Sequence, residues 1–154
     1  MGGASWALRY RTGQEADYNV VFPLLPLQRL AQCEVIGAVS DINFTVMGYQ
    51  PDPRPFCQAA APGILQDLQA HQVDGVLLVP WGPVCHQSVG LLARYLEGVG
   101  VAPVVLGGLC SALEKGRPPR GSLVRGPLGQ LVGPPHDLAT QTARVEAALQ
   151  RLDS

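Results

Sequence analysis

The sequence predicts an α/β fold, an open three-layer sandwich with a mainly parallel sheet. Three observations predict it. The runs VDGVLLVP and VAPVVLGG are almost continuously apolar, as in strands buried on both faces. Between them lies SVGLLARYLEGVG, in which Leu91, Leu92, Tyr95 and Leu96 form a helical stripe. Strand–helix–strand order in turn calls for parallel strands joined by right-handed crossovers. A chain of 154 residues has the size of one domain and buries a core without staples. The expected organisation is a single domain over 1–154 with Rossmann/flavodoxin-like topology and no nucleotide fingerprint.

In chain order, residues 1–32 read as an extended N-terminal segment, because PLLPLQRL at 23–30 carries two prolines. CEVIGAVS at 33–40 is β-rich and apolar, which predicts a first strand. It opens into SDINFTVMGYQPDPRPF, a polar and aromatic loop with three prolines, and a loop of such length in a compact domain is often functional. CQAAAPGILQDLQAHQ at 57–72 has helical spacing at Ile64, Leu65, Leu68 and His71, with a start near Pro62, where a missing N–H costs nothing. VDGVLLVP is the second strand; the helix after it stops at Gly98 or Gly100. VAPVVLGG is the third strand, and SLVR is a short strand inside the Gly- and Pro-dense region 116–137. Asp137 caps a last helix over 138–152 with Val145, Leu149 and Leu152 facing inward.

Composition excludes several classes. Apolar residues make up 47%, too many for a disordered chain, and charged residues only 15%, so part of the surface is expected to be covered by another copy or another protein. A net charge of -1 with no basic patch argues against nucleic acid. The uncharged run from Val99 to Leu113 is broken by glycines and a proline and is too short to span a bilayer. MGGASWALRY lacks the order of a signal peptide, and Trp6 stands where a myristoylation signal needs Ser or Thr. The expectation is therefore cytoplasmic. Cysteines at 33, 57, 85 and 110 have neither zinc nor CxxC spacing, so reduced thiols and no metal are expected.

Ligands of parallel α/β sheets sit beyond the carboxyl ends of the strands. The Asp41 loop, the Cys85 loop and the segment Gly107–Cys110 each follow an expected strand and should share that edge. Cys85 falls where a helix begins, and a helix N-terminus favours a thiolate. A thiolate that acts needs a proton partner, which His86, His136 or Asp41 would supply. Asn43, Phe44, Met47, Tyr49, Trp81, Gly82, Cys110, Gly129 and His136 are the candidate substrate-binding residues. Each has a plainer account. Cys85 reads equally as a small buried hydrophobe, His86 as a helix-surface residue, Asp41 and Asn43 as loop caps, Phe44, Met47 and Tyr49 as core, and Cys57 and Cys110 as packing. GPLGQLVGPP is neither a P-loop nor a dinucleotide fingerprint, so no cofactor is expected. Gly126, Gly129 and Gly133 permit sharp turns, or turn main-chain N–H groups toward a ligand carboxylate.

Four stretches, FPLLPLQRL, SDINFTVMGYQPDP, VDGVLLVPWGPVCHQSVGLLARYLEGVGV and PLGQLVGPP, occur in order across most of residues 22–150. In them the chain resembles the selenoprotein B family of glycine, betaine, sarcosine and D-proline reductases and their smaller cysteine-containing relatives. The resemblance implies a selenocysteine or cysteine that attacks substrate and releases an amine, three positions before a second cysteine. The second cysteine matches Cys85, and His86 matches the histidine of the smaller relatives. The reactive position matches Gly82, which carries no nucleophile. The resemblance also implies partner subunits.

Three functions are consistent with these residues. The leading one is a cofactor-independent, cysteine-assisted enzyme that carries out isomerisation, elimination, cyclisation or hydrolysis of a small carboxylate or carbonyl compound. The second is thiol-dependent reductive cleavage, with Cys110 or Cys57 resolving Cys85. The third is a non-catalytic ligand-binding or scaffold subunit. The expected partners are a small-molecule substrate and a second copy of the chain, as a homodimer or higher homo-oligomer, with neither nucleic acid nor membrane.

Overall fold

The computed structural model describes residues 17–48, 50–52, 54–108 and 110–153, and for 110–112 the backbone only. A 3-10 turn at Tyr18–Val20 leads into helix α1, Leu24–Gln32. The expected extended segment at 23–30 is thus a helix. Pro23 stands at its N-cap and Pro26 in its first turn, where no amide hydrogen is needed. Asn19, from the preceding turn, accepts the Leu25 amide at 2.9 Å.

Residues 33–40 do not form the expected strand. Glu34 adopts a left-handed conformation, φ 57°. The amide of Val35 bonds back to the Leu30 carbonyl and that of Glu34 to Ala31. This is a Schellman ending, so CEVIG closes a helix. The same double bond closes the next two helices, through Gln72–Val73 and through Gly100–Val101.

The remaining expected elements follow in order, with an additional helix at Cys110–Gly116 between the last two strands. A wide helical turn at Phe56–Ala60 runs into α2, Ala61–Ala70, with Pro62 in its first turn. Strand β1 is Gly75–Leu78, α3 is Pro83–Gly98 and β2 is Ala102–Gly107. Then come α4, Cys110–Gly116, β3, Gly121–Leu123, and α5, Leu138–Leu149, which ends in a 3-10 turn at Gln150–Asp153. Asp137 caps α5 by accepting the Thr140 amide at 3.0 Å.

The three strands are parallel in the order β1-β2-β3, with Gly75 opposite Ala102 and Val105 opposite Gly121. Strand pleating sorts the core into layers. Val104 and Leu106 face α1 and α5, where they meet Leu30, Val145 and Ala148. Val105 faces α3 and α4, where it meets Val89, Ala93 and Leu113. Helix α2 joins that second layer by packing Ile64 and Leu68 on Leu92 and Leu96. The fold is an open α/β sandwich. Within the described sheet the strand order never reverses. Both crossovers therefore step in one direction, and two crossovers of one hand leave their helices, α3 and α4, on one face. Those helices touch backbone to backbone: a Cβ at Gly90 would lie 2.7 Å from the Gly116 Cα.

Candidate functional site

The carboxyl ends of β1 and β2 converge on the start of α3. Gly82 is the N-cap in extended conformation and Pro83 the first helical residue, so Cys85 is the third. Cys85 is a half-buried free thiol at a helix N-terminus beyond a strand exit. Gly82 provides no side-chain cap. A Cβ added at Gly82 would stand 3.8 Å from the Cys85 Sγ, so residue 82 faces the sulfur. Trp81 is half-buried directly before the cap.

His86 turns into the protein and is fully buried. Its Nδ1 lies 2.8 Å from the Gly82 carbonyl, and its Nε2 accepts the Gly108 amide at 3.1 Å. A carbonyl only accepts and an amide only donates, so the ring is the neutral Nδ1–H tautomer. Burial lowers the His86 pKa from its usual value, against the opposing effect of the Gly82 bond. With both nitrogens engaged, His86 ties the exit of β1 to the exit of β2. This differs from its expected role as a surface residue or as a partner for the Cys85 proton. It also accounts for the Gly-Gly exit of β2. A Cβ at Gly107 would crowd Leu113 and the His86 ring, and one at Gly108 would collide with Leu131.

Residues 41–48 form a strap across the α2–α3 layer. Ile42 and Val46 pack into the Phe56–Leu96 cluster. Asn43, Phe44 and Met47 face solvent, with Met47 75% exposed, so they do not wall an enclosed pocket. Gly48 rests on Cys85: a Cβ there would collide with the Sγ. Ser88, one turn beyond Cys85, donates its hydroxyl to the Gly48 carbonyl at 2.6 Å. Asp41 sits at the other end of the strap and pairs with His71 Nδ1 at 3.0 Å. His71 caps the C-terminus of α2 and precedes β1, which places it toward the amino edge of the sheet. The strap thus reaches Cys85 through Gly48 and holds Asp41 away from it.

The late glycines make turns. Gly129 and Gly133 have positive φ, 82° and 157°, while Gly126 lies exposed beside Arg144. Their loop carries Leu131 and Val132 into the core. His136 is exposed and left-handed, and its amide donates to Asp17 Oδ2 at 2.9 Å. Burial raises the Asp17 pKa, but donors from Gln141, the His136 amide and Asn19 outweigh it and hold the carboxyl well below the usual range. Asp17 is thus the anchor of the late loop. Tyr49 and the Cys110 side chain lie outside the described residues. Cys57 is half-buried beside the α2–α3 cluster, and Cys33 is exposed at the end of α1.

Two shallow surface depressions, one lined by Arg29, Leu138 and Glu146 and one by Arg94, Glu114, Lys115 and Arg117, exclude Cys85. Among the described residues no three His, Cys, Asp or Glu side chains gather as metal ligands, and no helix is long and apolar enough to cross a membrane. The sequence singles out Cys85 and Gly82 as candidates but not their neighbours Gly48 and Ser88, nor His71, the partner of Asp41. The signal available was a glycine inside a long loop, which marks close backbone approach. Ser88 carried none.

No family model matches the chain, and no solved structure matches it. The chain is 29% identical over 136 residues to D-proline reductase subunit gamma of Acetoanaerobium sticklandii. The match covers 88% of this chain and 56% of the relative, so the chain spans about half the length of the curated protein it resembles. A stretch of that extent necessarily contains Gly48, Gly82 and Cys85. The similarity relates the chain to a reductase subunit.

Proposed function

We propose that the chain serves as a reductase subunit in which Cys85 carries thiol-dependent reductive cleavage of a C–N bond in a small amino acid. The observation that carries this reading is the similarity to the reductase subunit gamma across a stretch that includes Cys85. The site supports it. The third residue of α3 lies in the positive end of the helix field, beside which negative charge on a bound carboxylate is stabilised. Backbone amides of the first turn are directed toward charge that develops there.

Gly82 defines how such a subunit works. In the selenoprotein B pattern the reactive residue stands at this position, and residue 82 faces the Cys85 sulfur. The Cys85 sulfur would displace the amine, which leaves with a proton, and form a C–S bond; a second thiol would then attack that sulfur, the carbon leaving with a proton as C–H, and the resulting disulfide would be reduced to two thiols by an added dithiol. The second thiol then comes from Cys110, Cys57 or a partner chain. The single sulfur also favours a second reading, thiol-assisted acid/base chemistry on a small carboxylate or carbonyl compound with no change of oxidation state. The sparse surface charge supports self-association as a dimer, which light scattering tests against a monomer mass.

The deciding experiment incubates the purified chain with D-proline and a dithiol and follows loss of D-proline. Consumption that needs both the dithiol and Cys85 supports the reductase reading. Conversion that needs Cys85 but no dithiol moves the assignment to the non-redox reading. A chain inert alone and also inert with the other subunits of a reductase would be a scaffold or ligand-binding subunit.

A further inference from the structure

We infer that the strap 41–48 is a gate over the Cys85 thiol, latched by Ser88, and that substrate or a reducing thiol reaches Cys85 when Gly48 lifts. The inference rests on Cys85 as the reactive group of the proposed function, but the gate is measurable without turnover. Three relations carry it. First, Gly48 lies so close to Cys85 that any side chain there would occupy the space of the sulfur. The strap backbone itself covers one side of the thiol. Second, the latch is a single short hydrogen bond, 2.6 Å from the buried Ser88 hydroxyl to the Gly48 carbonyl, joining residues forty apart in sequence.

Third, the attachment is uneven along the strap. Its first half is held by the Asp41–His71 pair and by Ile42 and Val46 in the core. Beyond Val46, Met47 stands in solvent. Among the described residues that follow, Gln50 donates to the Met47 carbonyl and Arg54 to Asp52, both within the loop. Among the described residues the next core anchor is Phe56. With Ile42 and Val46 held in the core, opening at the Gly48 end leaves the α2–α3 layer packed. The other side of the sulfur faces Gly82, which fills no space, so lifting Gly48 exposes the thiol to an incoming group.

The test uses the chain with Cys85 as its one thiol, the other three cysteines being replaced by Cys33→Ser, Cys57→Ala and Cys110→Ala. A second chain keeps Cys57 as its one thiol. Each is alkylated with iodoacetamide with and without Ser88→Ala. Loss of one hydrogen bond of ordinary strength shifts a local opening equilibrium by about two- to tenfold. The expected result is that Ser88→Ala speeds Cys85 alkylation by about that factor and leaves Cys57 unchanged. An unchanged Cys85 rate overturns the gate. Equal acceleration of both thiols also overturns it, because the variant would then loosen the whole layer. A gated Cys85 that supports no conversion would remove the proposed function and leave the gate standing.

Discussion

The His86 imidazole, buried at the start of α3, donates to the Gly82 carbonyl at 2.8 Å. That contact fixes the carbonyl of the helix cap opposite Cys85, and the other ring nitrogen fixes the Gly108 amide. A proton added at Nε2 would meet an amide hydrogen, so the charged ring is disfavoured by geometry as well as by burial.

The first prediction concerns pH. The folded-state pKa of His86 is lowered, so the folded chain binds fewer protons than the unfolded one near neutrality. The stabilisation is therefore present above the unfolded value of about 6.5 and is lost as pH falls from there toward the folded value. Stability in that window should fall by up to about 1.4 kcal/mol per pH unit. His86→Asn keeps a donor for Gly82 and abandons Gly108. It should cost about 1–3 kcal/mol at pH 8 and flatten the acid slope. Denaturant midpoints between pH 8 and pH 5 check this, and an unaltered slope in the variant would assign the pH response elsewhere.

The second prediction concerns Cys85. Cys85→Ser preserves size and should leave the thermal midpoint within a few degrees of the parent. A serine hydroxyl ionises far less readily than a thiol, so conversion should fall at least about a hundredfold. Cys33→Ser, on an exposed helix end, should leave the rate unchanged. Full activity in Cys85→Ser would take thiol chemistry out of the proposed function.

The third prediction uses the facing of residues 82 and 85. Positions three apart at a helix start lie within disulfide reach, and a Cβ at 82 would already stand 3.8 Å from the Cys85 Sγ. Gly82→Cys should therefore form a disulfide with Cys85 on mild oxidation. Thiol titration in denaturant would show two fewer free thiols than the reduced variant. Retention of both thiols would mean that the two side chains diverge.

The fold was legible where period and punctuation agreed. VDGVLLVP, SVGLLARYLEGVG and VAPVVLGG each appear as their pattern predicts. The reading failed where a local rule was satisfied by an unusual residue. A Schellman ending normally advertises itself with glycine, but α1 ends on Glu34 and α2 on Gln72, both left-handed. CEVIG therefore looked like a strand. Prolines at 23 and 26 signalled extension because nothing local reveals that Asn19 caps the helix around them. At the site, Cys85 and Gly82 were readable from the strand–helix junction. The Ser88–Gly48 contact spans forty residues and leaves no periodic trace. Asp41 shares an edge with Cys85 only if a strand precedes it, and without that strand it pairs with His71 instead.

The last prediction separates two glycines that look alike in sequence. Gly63 lies in the first turn of α2, and a Cβ there meets nothing within 4 Å. Gly63→Ala removes unfolded-state freedom at no steric cost and should stabilise by about 0.4–1 kcal/mol. Gly90 lies in α3, where a Cβ would press on the Gly116 backbone at 2.7–3.0 Å. Gly116 in turn lies against the His86 carbonyl, so the displacement passes to the turn that holds Cys85. Backbone cannot swing aside as a side chain does, so Gly90→Ala should destabilise by about 1–3 kcal/mol despite its better helix propensity. It should also raise the alkylation rate of Cys85, because α4 begins two residues after Gly108, the amide that His86 holds. Paired urea titrations and thiol kinetics check both arms. Equal effects at Gly63 and Gly90 would mean that α3 and α4 do not meet backbone to backbone.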